Sequence, residues 1–316
     1  MQFWSDAADV PGDFGPSAVT VGKFDGLHAG HRAVIGTLRA ISDDRGLVPT
    51  VVTFDRNPLS LLRPELCPDP LVSNEQKVEL LEDAGIGAVL MVTFDERLRD
   101  MTPIEFVQQI LVEALHAAVV LVGRDFRFGA KGAGDVALLE SLGREHGFEV
   151  VIIDDVTPDG SRRVSSTWVR ELLAAGNVRE AARLLGGAPT VRSVVVHGAH
   201  RGRELGYPTA NLAPNLEGFA PGDGVYAAWL IVDGERYGAA VSIGNNPTFD
   251  GVPAKQVEAH AIDQDFDLYG KTVALEFVDR IRGMWKFDSV TELVEQIARD
   301  EEVAREMLGI APRVAK

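Results

Sequence analysis

The chain has 316 residues, 46% hydrophobic and 25% charged, with a formal net charge of -16 from 47 acidic and 31 basic side chains. This length favours two domains over one continuous core, and the acidic balance excludes a nucleic acid backbone or an anionic membrane as the main partner. The single cysteine, Cys67, rules out an internal disulfide and a cysteine-rich zinc site. No apolar run is long enough to span a bilayer, and Met1–Asp6 lacks the basic and apolar stretches of a secretory signal, so a cytoplasmic protein is expected.

Short β-branched runs at 18–21, 48–53, 88–92, 118–122 and 149–153 read as buried strands. Amphipathic stretches between them have recognisable helix starts. Ser73 with Gln76 and Thr102 with Glu105 form capping-box patterns, the second with Pro103 at the first helical position. Strands alternating with helices predict an α/β, Rossmann-like first domain with a parallel sheet over residues 1–186, and ligands bind such sheets beyond the carboxyl ends of their strands. After a helix over 178–185 and the sequence Gly186-Gly187-Ala188-Pro189, the pattern becomes strands at 191–196, 224–232, 237–243, 256–262 and 272–278. Turn signals such as Asp233-Gly234 separate them, which predicts a small antiparallel β-barrel over 187–316, closed by a helix over about 289–307.

Because the overall charge repels nucleotides, any phosphate must be held by local features: backbone amides, helix N-termini, magnesium and a few arginines. The segment Val19 to His31 leaves the first long strand, crosses glycines at 22, 26 and 30, and enters a helix running through Leu38. His28 and His31 on that turn can donate hydrogen bonds to a phosphate under attack. Zinc ligation by the pair is disfavoured because no third ligand lies at metal spacing. Gly22-Lys23 is not a P-loop, since the glycine spacing is wrong and no Ser or Thr follows Lys23. Ser166 or Thr167 would cap a helix to about Ala175; alone that needs no further role, but beside His28, His31, Arg163 and Arg170 a phosphate-binding role is favoured.

In the second half, a glycine-rich loop with arginines ends in Gly206-Tyr207-Pro208-Thr209-Ala210-Asn211. Thr209 and Asn211, one residue apart, offer the hard oxygen ligands that Mg²⁺ prefers beside waters and substrate phosphates. A simple turn into a strand would also explain the tetrapeptide. His197 and His200 read as loop residues, and Glu258 in an apolar strand could merely face solvent.

The run Gly22–His31, the Ser165-Ser166-Thr167 tripeptide with Arg170, and Gly123–Gly129 closely resemble the adenylyltransferase half of the prokaryotic bifunctional riboflavin kinase and FMN adenylyltransferase family, also called FAD synthetase. Pro208–Asn211 resembles the riboflavin kinase signature, and the resemblance covers nearly the whole chain. It implies that His28 and His31 contact the ATP phosphates, that Gly22 and Phe24 line the adenylyl site, and that Asp125 lies near flavin and nucleotide. It further implies that Arg163, Ser166, Thr167 and Arg170 bind the triphosphate, that Gly206, Thr209 and Asn211 bind Mg-ATP, and that Glu258 is the general base. Stretches at 242–249, 267–271 and 280–288 complete the match, the last as a loop of the flavin pocket. Arg56-Asn57 departs from the family, which usually has Pro and His there.

The expected partners are therefore riboflavin, FMN, FAD and ATP, with Mg²⁺ as cofactor, in a monomer or transient homo-oligomer. The expected reactions are riboflavin to FMN in the barrel and FMN to FAD, with release of pyrophosphate, in the first domain. Rival readings are transfer of a nucleotide to another phosphorylated small molecule, and a flavin-responsive binding protein.

Overall fold

The β-branched runs of the first half align as one parallel sheet in the computed structural model, which describes residues 1–154, 157, 162–198, 205–244 and 256–311. The strands are β1 (Gln2–Trp4), β2 (Ser17–Val21), β3 (Val48–Phe54), β4 (Ala88–Val92), β5 (Ala117–Gly123) and β6 (Glu149–Ile153), in the order β1-β4-β3-β2-β5-β6. Alternate residues of each strand serve opposite faces. Val19, Val21, Leu90, Val92, Val120 and Val122 join one core, whereas Ala18, Val89, Met91, Val119 and Leu121 join another. A sheet buried on both faces needs such continuous apolar strands.

Helices α1 (Ala29–Arg45) and α3 (Asn74–Asp83) cover one face through Ile35, Leu38 and Leu81. The short helices α2 (Leu59–Leu62) and α4 (Glu96–Asp100) lie in the connections. The other face is covered by α5 (Pro103–Phe106), which continues as a π-helical stretch over Val107–Ala114, and by α6 (Val136–His146), through Phe106, Ile110, Leu111, Leu139 and Leu142. The capping box predicted at Thr102 is present: the Thr102 N–H donates to the Glu105 carboxylate at 2.8 Å and the Glu105 N–H to the Thr102 hydroxyl at 3.2 Å, whereas the Ser73 hydroxyl donates to Glu217 at 3.2 Å. Helix α1 runs about two turns beyond Leu38, to Arg45, where Gly46 takes a left-handed conformation at φ 65°. The chain departs from β2 toward β3 on one side, and β5 lies on the other. The carboxyl ends of β2 and β5 therefore form the switch point at which doubly wound sheets bind ligands.

The unit containing this sheet comprises Met1–Pro70 and Asn74–Ser165; a second comprises Leu71–Ser73 and the chain from Ser166 onward. The second opens with α7 (Ser166–Ala174) and α8 (Val178–Leu185). Strands β7 (Thr190–Val196), β8 (Ala210–Leu212), β9 (Gly224–Val232), β10 (Glu235–Gly244), β11 (Gln256–Ala261) and β12 (Thr272–Arg282) close a barrel in the order β10-β11-β8-β7-β12-β9, every pair antiparallel. Asp233 and Gly234 make the predicted tight turn, with φ 52° and 81°, between the paired residues Val232 and Glu235. Helix α9 (Val290–Leu308) is capped by Ser289, whose hydroxyl accepts from the Glu292 N–H at 3.2 Å. It packs on the barrel around Ala227, Ile262 and Ala304.

Candidate functional site

The turn after β2 is built from residues that tolerate left-handed backbone only under compulsion. Phe24 and Leu27 sit at φ 45° and 40°, with Gly26 between them at φ 84°. Non-glycine residues hold such angles when surrounding packing over-determines them, and here both side chains are buried in the α1 face of the sheet. The Thr53 hydroxyl donates to the Lys23 carbonyl at 3.2 Å and fixes the turn from β3. The result places His28 as the residue before α1 and His31 one turn inside it.

The two imidazoles stack with centroids 3.8 Å apart and planes 17° from parallel, and Phe24 lies 5.0 Å from His31. Gly30 lies close under this pair, and a Cβ there would stand 3.2 Å from the His28 ring. Neither Nδ1 finds a hydrogen-bond partner among the described residues. Buried polar atoms are nearly always paired, so two orphaned ring nitrogens at a helix N-terminus mark a place for a ligand. Burial, and secondarily the Arg163 guanidinium, lowers the His28 pKa to about 4, and burial with the neighbouring His28 lowers that of His31 well below 6.5. Both rings are neutral at pH 7.

This neutrality couples the site to acid stability. The unfolded chain protonates His28 near its ordinary value of 6.5, while the folded chain resists to about 4. Between those values the unfolded state binds more protons, so stability is full above the upper value and falls as pH drops toward the lower, by up to roughly 3 kcal/mol for this group. In a histidine-ring NMR titration the His28 signals are expected to move near pH 4; a midpoint at 6 or above would contradict the burial argument.

Asp125 follows β5, and its carboxylate receives the Arg163 guanidinium at 2.7 Å; this hydrogen bond holds Asp125 below the usual carboxylate range. Gly22, Phe24, His28, His31, Asp125 and Arg163, which the resemblance singles out, lie in the same unit, the one that contains the sheet. Ser166 and Thr167 are the first two residues of α7, with Ser165 before them, so the helix starts one residue earlier than a Ser166 cap requires. With Arg170 they belong to the second unit. Arg56 and Asn57 are accounted for locally: Arg56 lies 3.7 Å from Asp55, and the Asn57 side chain accepts from the Leu59 N–H at 3.1 Å at the start of α2.

Lys77 was not identified from the sequence. It is buried in α3, its Nζ donates to the Phe54 carbonyl at 2.9 Å at the carboxyl end of β3, and its charge is one of those that disfavour protonation of His31. Burial lowers its own pKa, opposed by Asp25 and Asp55. A lysine inside an amphipathic helix carries no sequence signal of such a position.

In the barrel, β8 and β11 bring distant residues face to face: Glu258 is the direct cross-strand partner of Asn211, and on its other side Glu258 pairs with Ser242 of β10. Val257, Ala259 and Ala261 are buried, whereas Gln256, Glu258 and His260 alternate with them on the outer face and are half-buried. Asn211 alternates likewise between the buried Ala210 and Leu212. Gly198 lies against Asn211, and a Cβ at Gly198 would stand 2.5 Å from the Asn211 Cγ. Gly206 holds φ 84°, where only glycine is unstrained. A cavity of 40 Å³ opens beside Thr209, lined also by Val195, Ala210, Ala259, Phe266 and Tyr269.

The His197 ring lies tilted by 30° against Tyr269 with centroids 3.9 Å apart, and His200 and residues 245–249 lie outside the described residues. The 280–288 segment divides its arginines. Arg280 donates to the Ala175 and Asp223 carbonyls at 3.2 and 2.6 Å, which fixes backbone, while Arg282 pairs with buried Asp300 at 2.7 Å beneath Trp285 and Phe287. Among the described residues no group of three or more His, Cys, Asp and Glu side chains forms a metal site, and no helix is long and apolar enough to cross a membrane.

The FAD synthetase family matches residues 11–168 and the riboflavin kinase family residues 185–308. The bifunctional riboflavin kinase/FMN adenylyltransferase of Escherichia coli (strain K12) is 38% identical over 293 residues, covering 92% of this chain and 93% of that protein. The protein of the same name from Bacillus subtilis (strain 168) is 33% identical over 292 residues, 91% of each. A crystal structure of a macrolide-efflux protein from Streptococcus pneumoniae superposes with a TM-score of 0.84 at 32% identity, covering 96% of this chain and 98% of that one. Two matching families in tandem, relatives matched over almost their whole length, and a parallel sheet followed by a closed barrel lead to one conclusion: the chain belongs to the bifunctional riboflavin kinase/FMN adenylyltransferase family, whose ATP-dependent reactions yield FMN and then FAD.

Proposed function

We propose that each reaction belongs to its own half of the chain, with residues 187–316 phosphorylating riboflavin and residues 1–186 adenylylating FMN. Support for the kinase assignment is the cross-strand pairing of Glu258 with Asn211, because it sets a carboxylate beside a metal-binding amide without relying on loop conformation. Glu258 takes the proton of the riboflavin 5′-hydroxyl as that oxygen attacks the γ-phosphorus of ATP in line; the γ-phosphorus to bridging-oxygen bond breaks and ADP leaves. Thr209 and Asn211 suit Mg²⁺ in chemistry, as neutral oxygen donors, and Gly198, which lacks a Cβ, lets the backbone lie directly against the Asn211 amide. When bound, the ion neutralises charge on the ATP phosphates. Gly206 supplies the left-handed backbone, at φ 84°, that leads into Pro208 and Thr209.

In the other half, an FMN phosphate oxygen attacks the α-phosphorus of ATP and pyrophosphate departs. That nucleophile is already anionic at neutral pH, so no strong base is needed. Neutral His28 and His31 donate N–H hydrogen bonds to the phosphate oxygens, where negative charge gathers in the transition state. Gly22 and Phe24 line the adenylyl group, and Asp125 orients Arg163. Arg163, Ser166, Thr167 and Arg170 carry the triphosphate-binding role that the resemblance gives them. Dependence on ATP agrees with a cytoplasmic enzyme, and its acidic surface with a monomer or a transient homo-oligomer.

Asn211→Ala tests the metal assignment. The Mg²⁺ concentration for half-maximal FMN formation is expected to rise about tenfold, the effect of losing one good ligand contact, while the Mg²⁺ dependence of FAD formation from supplied FMN stays the same. An unchanged kinase dependence would remove Asn211 from the metal site.

A further inference from the structure

The β8–β11 ladder stops abruptly where the kinase site needs it most. Its pairs are Glu258 with Asn211 and Ala259 with Ala210, and strand β8 begins at Ala210. Continuing the register would place His260 opposite Thr209 and Ala261 opposite Pro208. Proline has no N–H to give to a ladder, so backbone pairing cannot hold Thr209 from this side. A side chain takes over at that point: the His260 Nδ1 is 2.8 Å from the Pro208 carbonyl oxygen. A carbonyl only accepts, so Nδ1 is the donor.

The other end of the imidazole faces a buried carboxylate, in contact but beyond hydrogen-bond distance. Its Nε2 lies 3.8 Å from the Glu301 carboxylate on α9, with side-chain exposures of 12% and 5%. Glu301 is held in turn by Arg305 at 2.8 Å, and Arg305, 3% exposed, also grips Asp263 through its Nη1 at 2.8 Å. The Tyr207 ring meets the His260 ring edge-on at 5.4 Å. Guanidinium, carboxylate and imidazole thus pack in line from α9 through β11 to the backbone that carries Thr209, with the hydrogen bond to Pro208 as the final link.

We infer that His260 is a positioning residue of the kinase: it sets Thr209 and Asn211 at a fixed distance from Glu258, which lies two residues earlier on the same strand face. This rests on the assignment of Thr209 and Asn211 to Mg-ATP. His260 touches neither substrate nor metal. Its effect falls on the affinity for Mg-ATP more than on riboflavin, and FAD formation from FMN serves as a control in the same chain.

The test compares His260→Asn, His260→Gln and His260→Ala. The asparagine amide nitrogen stands two bonds from Cβ, as Nδ1 does, and keeps the Pro208 hydrogen bond; the longer glutamine reaches toward Glu301 and loses it. The Asn variant is expected to keep KM for Mg-ATP within about threefold of the parent, while Gln and Ala raise it about tenfold, the effect of one lost hydrogen bond. KM for riboflavin and the rate of FAD formation should be unchanged in all three. Equal losses in Asn and Gln would overturn the proposal, as would an unchanged KM for Mg-ATP in Gln. If Ala does not fold, the Asn and Gln pair still decides. Thr209→Ala separates this from the parent assignment: if it leaves Mg-ATP affinity intact, Thr209 is not a ligand, whatever His260 does.

Discussion

Replacing Glu258 by alanine is expected to slow FMN formation from riboflavin by about 10²- to 10⁴-fold, the usual contribution of a general base, with FAD formation from added FMN unaffected. Separation of riboflavin, FMN and FAD by chromatography over time measures both. Two other carboxylates of this half, both on α9, are engaged in ion pairs. Glu301 is buried and paired with Arg305, and His260 first and Arg305 second lower its pKa to about 2. Asp300 is similarly committed to Arg282 and to Gln296. Glu258 has the uncharged Asn211 and Ser242 as cross-strand neighbours and is half-buried. Normal FMN formation by Glu258→Ala would mean that the proton goes elsewhere. Glu258→Gln keeps the shape and the cross-strand neighbours, so an equal loss in that variant would assign the effect to proton transfer.

The second large effect is expected at His28. Its replacement by alanine should reduce FAD formation from FMN about 10²- to 10³-fold, comparable to removing one donor from a preorganised charge-stabilising site, and should spare the kinase. His31→Ala belongs to the same test. Because the rings stack and share their burial, the two losses are not independent, and the double variant should fall short of the product of the single ones. A second readout follows from the depressed pKa: His28→Ala removes a group that destabilises the folded chain in acid, so loss of stability between pH 6.5 and about 4 should become shallower. Retained FAD formation with shallower acid unfolding would reduce His28 to a buried residue of the turn.

Much of this architecture was legible in the sequence as apolar runs, although the run at 149–153 forms an edge strand with Ile152 exposed and not the buried strand expected. Strands at 88–92, 149–153 and 224–232 have the predicted limits because each is a β-branched run bounded by turns or helix signals. β1 and β8 were not predicted, since three residues give no period to read. The His28–His31 turn was legible because its glycines, strand and helix are contiguous. The adjacency of Glu258 and Asn211 was not, because strand register depends on pairings that a linear pattern does not contain. Gly198 and Lys77 were missed for a related reason. The first matters through a Cβ it lacks next to a residue far along the chain, and the second through a backbone carbonyl on another element.

The pairing of β8 with β11 has a consequence for how this chain can change. Register, and not the number of residues between them, places the base beside the metal-binding amide. Closing a longer surface loop costs little, about 0.6 kcal/mol for each doubling of its length. Insertions or deletions at the turns between these strands therefore leave the reacting geometry intact. A single-residue slip of β11 against β8, by contrast, would turn Glu258 into the barrel and expose Val257 or Ala259 in its place. The chemistry is tied to the parity of a strand, and related chains are free to vary their loops while that parity is kept.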